Sequence, residues 1–150
     1  MKLSENFTLS EMLVSGAAHR FKIYEQFTPS EAVKLNLKAL CENVLQPLRD
    51  EVKRPIYVSS GYRCPKVNKA IGGARTSQHI KGEAADIQIA GITTDEICRI
   101  VLELGIEFDQ MIEEYGSWVH ISFKRTGTNR NQVLQKKSGQ GYRPYNPIKE

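Results

Sequence analysis

The chain has 150 residues, 40% hydrophobic and 25% charged, with a formal net charge of +4, a size and composition suited to one domain with its own core. No run of about 18 apolar residues exists, which excludes a membrane-spanning helix. The first residues lack the apolar stretch of a secretory signal, so synthesis in the cytoplasm without a signal peptide is expected.

Three cysteines, Cys41, Cys64 and Cys98, are odd in number and widely spaced, which argues against a disulfide framework. Cys41 and Cys98 fall among apolar neighbours and read as core. Charge is uneven along the chain. Residues 124–150 hold seven Lys or Arg and one acidic residue, hence +6, leaving −2 for the remainder. A basic tail suits an anionic polymer or a solvated face. It lacks a regular aromatic and basic pattern, so nucleic acid is not the expected partner.

Thr8 with Glu11 fits a capping box that opens a short helix to about residue 14. His19 follows in a polar connection, without a partner at ligand spacing. Thr28 with Glu31 fits a second capping box, with Pro29 at the first helical position. The spacing of Ala32, Val33, Leu35, Leu37, Leu40, Val44 and Leu45 then predicts the longest helix, over 29–52, which Pro47 kinks or whose last turn it splits off. Arg54 and Pro55 stop it, and a β-rich run covers 56–59. A turn at Ser60 and Gly61 leads through Arg63 to a short helix from Pro65 to Ile71, broken by Gly72 and Gly73.

The loop 74–81 carries His79, and Gly82 supplies a bend. Ala85, Ile87 and Ile89 then alternate with Asp86 and Gln88, as in a strand over 84–89. Thr93 with Glu96 fits a third capping box, opening a helix closed by Gly105. Residues 109–114 and 118–123 read as a hairpin, with Trp118, His120 and Ser122 on one face of its second strand. Beyond Phe123 the hydrophobic pattern fades, with a short edge strand at 132–135 and an extended, partly mobile tail over 139–150.

His79, Asp86 and His120 fit a catalytic metal centre: two imidazoles and a carboxylate leave zinc one open position. Glu113 and Glu114 end the preceding hairpin strand, and one of them can reach a water at such an ion. Alternation lets only one face it. The bland reading stands beside this one: His79 caps a loop, Asp86 is a surface strand residue, and His120 packs beside Trp118. A guanidinium at Arg63 could stabilise an oxyanion or tie the loop to a carboxylate.

The segment S-G-Y-R at 60–63, the run G-G-A-x-x-S-x-H-x-x-G-x-A-x-D at 72–86 and W-V-H-x-S at 118–122 resemble the zinc D-alanyl-D-alanine carboxypeptidases, peptidase family M15. F-T-L-S-E and N-V-L-Q-P-L-R are similar too. The branch resembled is that of short phage and prophage endolysin-like peptidases. The likeness spans about 5–124, giving a peptidase domain over 1–124 and a basic, partly ordered extension of the same domain over 125–150.

That resemblance implies an α+β fold, a small central antiparallel sheet with helices packed on one side. It implies one Zn(2+) per chain on His79, Asp86 and His120, and hydrolysis of peptidoglycan stem peptides by a zinc-activated water. The bond would be D-Ala–D-Ala or L-Ala–D-Glu. Many members place the catalytic acid three residues before the last histidine, which here is Ser117. The similar zinc fold of hedgehog signalling domains places it six before, which is Glu114; Glu113 is the fallback. Arg63 matches the family arginine that faces substrate. Ser77, Gln78, Trp118 and Tyr115 are expected in the cleft. A monomer acting at the cell wall after phage-mediated release is expected. The alternative is a non-catalytic zinc module of a phage or the cell wall.

Overall fold

A computed structural model describes residues 1–148; the last two residues of the expected tail lie outside the described residues. Strand β1 (Lys2–Ser4) pairs with β2 (Phe7–Thr8) in a hairpin too short to show alternation in sequence. Helix α1 (Leu9–Met12) opens on the Thr8–Glu11 capping box as expected. The polar connection around His19 is instead helix α2 (Gly16–Arg20), capped by the Ser15 hydroxyl, which accepts from Ala18 N. Only Ala18 of α2 is buried, so no apolar stripe announces it.

Helix α3 (Glu31–Leu40) is capped by Ser30, not by the expected Thr28 box: the Ser30 hydroxyl accepts from Val33 N. The helix continues to Val52 without a break. It passes through a π turn (Cys41–Leu45) into α4 (Gln46–Val52). Pro47 has no N–H and crowds the carbonyl four residues back. Widening the turn, with Gln46 N bonded to Cys41 O, accommodates that conflict and sets α4 apart from α3 by a π turn.

The main sheet is built from β3 (Tyr57–Ser60), β4 (Ala84–Gln88), β5 (Gln110–Glu114), β6 (Trp118–Ser122), β7 (Gln132–Lys136) and β8 (Arg143–Pro144). Helix α5 (Pro65–Ala70) lies between β3 and β4, and α6 (Thr94–Glu103) between β4 and β5. The strand order is β3-β4-β6-β5-β7-β8. The α+β class holds, and β3, β4, β6 and β5 pair antiparallel as expected. The sheet is nevertheless mixed, because β7 runs parallel to β5. Nor is β7 an edge, since β8 pairs with its other side.

The cause of the parallel pairing is local. Buried Asp109, just before β5, accepts from Arg130 N at 3.1 Å, Nε at 3.0 Å and Nη2 at 2.8 Å. Asn131 N donates to Phe108 O. The two strands therefore start side by side and run the same way.

Alternation gives the sheet two unlike faces. On one, Ala85, Ile87, Met111, Val119 and Ile121 are fully buried with Leu37, Leu40 and Leu48 of α3 and α4 and Ile97 and Val101 of α6. Each large aliphatic side chain there contributes about 1.5–3 kcal/mol of burial. Cys41 and Cys98 belong to this core, where burial pushes both thiols up to about 12 and makes them unreactive. On the other face the register sets a row, Asp86 beside His120, then Ile112, then Leu134. Glu114 lies in the next row, between Trp118 and Lys136.

Candidate metal centre

His79 sits on a 3-10 turn (Gln78–Lys81) that Ser77 caps, its hydroxyl accepting from His79 N at 3.2 Å. Gly82 ends the turn at φ 73°, where a Cβ would come within 2.9 Å of Val33 O. The imidazole is 2% exposed and its Nδ1 lies 2.6 Å from Gly61 O. A carbonyl only accepts, so Nδ1 carries the proton and Nε2 is the free ligand atom.

Gly61 is itself fixed by contact. A Cβ there would stand 2.5 Å from Met12 O, and Tyr62 N donates to that same carbonyl. Arg63 N donates to His79 O. Beneath this loop, fully buried Gln26 donates to Leu13 O and Tyr62 O and accepts from Cys64 N. Sequence reasoning missed Gln26, whose partners are 13 to 38 residues away and leave no local pattern.

Asp86 and His120 are direct cross-strand partners on β4 and β6. Asp86 Oδ1 lies 3.1 Å from His120 Nδ1 and 3.3 Å from His79 Nε2. One ligand atom from each of the three residues lies within 4.8 Å of the others. Burial alone would raise the Asp86 carboxyl, but the His120 and His79 imidazoles beside it, in their protonated forms, outweigh burial and hold it well below the usual range. The donor set fits a zinc ion. In neutral His79 the Nε2 lone pair faces a carboxylate oxygen, two acceptors in apposition that a cation reconciles. The Nδ1 bond to Gly61 O is the orienting partner such a ligand needs.

A cleft of about 730 Å3 opens over these residues. Arg63, Ser77, Gln78, Glu114 and Trp118 line it. Arg63 Nη2 donates to Ser77 Oγ, while Arg63 Nε and Trp118 Nε1 are buried donors without partners among the described residues. Burial raises Glu114 above the ordinary glutamate value, and His120 opposes it. Glu113 points the other way, buried in bonds to Thr94, Gly116 N and Gln135. Tyr115 does not line the cleft. Its φ of 59° turns it outward, where its ring tilts onto Trp118 at 5.4 Å. His19 is far from this group in function: it stacks on Phe27 at 5.0 Å. The cleft's far wall comes from Lys124, Arg130, Gln132, Leu134 and Tyr142, none of which the sequence singled out.

A family model described as Peptidase M15 matches residues 5–122. The chain belongs to the M15 peptidase family. No curated protein matches it significantly. M15 peptidases are zinc-dependent, in keeping with the donor set of the cluster. The match ends at β6, so β7, β8 and the far wall of the cleft lie beyond it.

Proposed function

We propose that this M15 peptidase hydrolyses the peptide stems of bacterial peptidoglycan, at D-Ala–D-Ala or L-Ala–D-Glu bonds, with one zinc ion held by His79, Asp86 and His120. The observation that carries the reading is that Asp86, His120 and Glu114 share one face of the sheet and that the turn carrying His79 brings it into the same cleft. When bound, zinc supplies the positive charge that polarises a scissile carbonyl and acidifies water.

The remaining roles belong to the protein. The Glu114 carboxylate accepts a proton from the attacking water and passes it to the leaving amine. Its partial burial, which favours the neutral form, suits that exchange. Arg63 offers its guanidinium to the developing oxyanion and is steadied by Ser77. Ser77 caps the ligand turn, and Gln78 and Trp118 line the path of the peptide. Gly61 O holds His79 in its ligand tautomer. One chain carries every group named, which supports a monomer as the working unit, and the proposed substrate supports action at the cell wall.

The test is mass spectrometry of stem-peptide fragments after incubation with zinc-loaded protein. Glu114→Gln is expected to lower turnover at least 100-fold while zinc content stays at one per chain. Undiminished cleavage by that variant, or wall binding by the parent without any cleavage, would overturn the reading.

A further inference from the structure

The cleft has a second chemical character where the turn that carries His79 meets the end of β6. Lys81, Lys124 and Arg130 line it there, with Glu83 and Asp109 as the acidic residues. Both acids are engaged. Asp109 is chelated by Arg130 through both oxygens, and Glu83 accepts from Gln78 Nε2. Lys124 Nζ keeps one distant contact, 3.9 Å to Asp109, and Lys81 has no ion pair among the described residues. This part of the cleft therefore carries a net positive charge, from exposed Lys81 and half-buried Lys124.

Its backbone is fastened on both sides. Lys124 N donates to Asn129 Oδ1, and Asn129 Nδ2 donates to Lys124 O. Asn36 of α3 ties the two walls together, donating to Lys81 O and accepting from Arg125 Nε. Lys124 lies four residues beyond His120, roughly 13 Å of extended chain. An extended peptide crossing the metal cluster would bring a residue about three places from the scissile bond to these lysines.

We infer that Lys81 and Lys124 form a carboxylate-binding subsite, which selects stem peptides carrying a free acidic group near the cleaved bond. The inference rests on the peptidase reading for the identity of its ligand. Lys124 lies outside residues 5–122, in the segment that the family match does not cover. In a peptidoglycan stem the fitting group is the free α-carboxylate of a γ-linked D-glutamate, and amidation removes its charge.

The probe is the pentapeptide L-Ala-γ-D-Glu-L-Lys-D-Ala-D-Ala, with the glutamyl α-carboxyl free or amidated. Binding is measured by calorimetry on the zinc-loaded full chain carrying Glu114→Gln, which keeps the peptide intact. The free acid is expected to bind roughly tenfold tighter than the amide. Adding Lys81→Gln and Lys124→Gln is expected to erase that difference and leave amide binding unchanged, whereas Lys137→Gln at an exposed site leaves both as they were. Equal affinities for acid and amide, no binding of either, or a preference that survives the double substitution would overturn the subsite. Turnover of the two peptides by the parent chain is read separately. Selective binding without cleavage would sink the peptidase reading and leave the subsite standing.

Discussion

At the residue scale, a metal ligand is only as good as the bond on its other side. His79 reaches its place because Gly61 O accepts from Nδ1, and Gly61 reaches its own place because it has no Cβ to strike Met12 O. Gly61→Ala forces a contact of 2.5 Å against backbone, which cannot swing aside as a side chain can. The carbonyl must shift, and His79 loses its orientation. Zinc affinity is expected to fall 10–100-fold, the usual cost of losing an orienting partner. Competition with a chelator measures it, with circular dichroism to show that the variant folds. An unchanged affinity in a folded Gly61→Ala protein would break the chain of contacts from Met12 to the metal. The same scale separates Glu113 from Glu114. Adjacent in sequence, they are divided by the pleat: one is tied into the helix-covered side, the other lines the cleft.

At the element scale, the least hydrophobic part of the chain completes the sheet. β7 is held to β5 by the Asp109–Arg130 clamp more than by any apolar pattern of its own. Hydrogen bonds from Arg130 hold the Asp109 carboxyl below the usual carboxylate range, against its burial. A depressed folded value means that stability from this group is fully present above the ordinary carboxylate value near 3.9. It is lost as pH falls below that, through the lower folded value. Asp109→Asn should therefore be less stable than the parent at pH 7 and lose less on acidification. Urea midpoints at pH 7 and pH 3 measure this, and equal acid losses in the two proteins would count against the clamp.

The same elements show what the sequence made legible. The 3.6 and 2.0 periods located α3, α6, β4 and the β5–β6 hairpin, because each buries one face against the core. His79, Asp86 and His120 were legible by residue type and alternation; alternation left Glu113 and Glu114 open, the resemblance to the hedgehog zinc fold singled out Glu114, and the cleft brings the four together. The strand at 132–135 was legible, but its interior, parallel place in the sheet, Gln26 and the Lys124 end of the cleft were not. They are placed by polar contacts between residues far apart in sequence, such as Gln26 with Cys64 and Arg130 with Asp109, and such contacts have no period.

At the scale of the whole molecule, the two faces of the sheet make folding and metal binding one equilibrium. The helix-covered face holds β4 and β6 in register, and that register sets Asp86 beside His120, 34 residues apart in sequence. The loop from β3 then brings in His79. An unfolded chain does not present these three donors together, so zinc held by them as proposed would bind the folded state and pull the equilibrium towards it. At free zinc about 100 times its dissociation constant, the gain is about 2.7 kcal/mol. For a chain of this size that corresponds to a rise in Tm of roughly 5–10 °C. Thermal unfolding in a chelator and then in excess zinc measures it. His120→Ala is expected to abolish the shift while unfolding in chelator near the parent temperature, since the ring is on the cleft face and not in the core. A parent chain whose Tm is the same with and without zinc would separate the metal from the fold and leave the three donors as a polar cluster on a sheet.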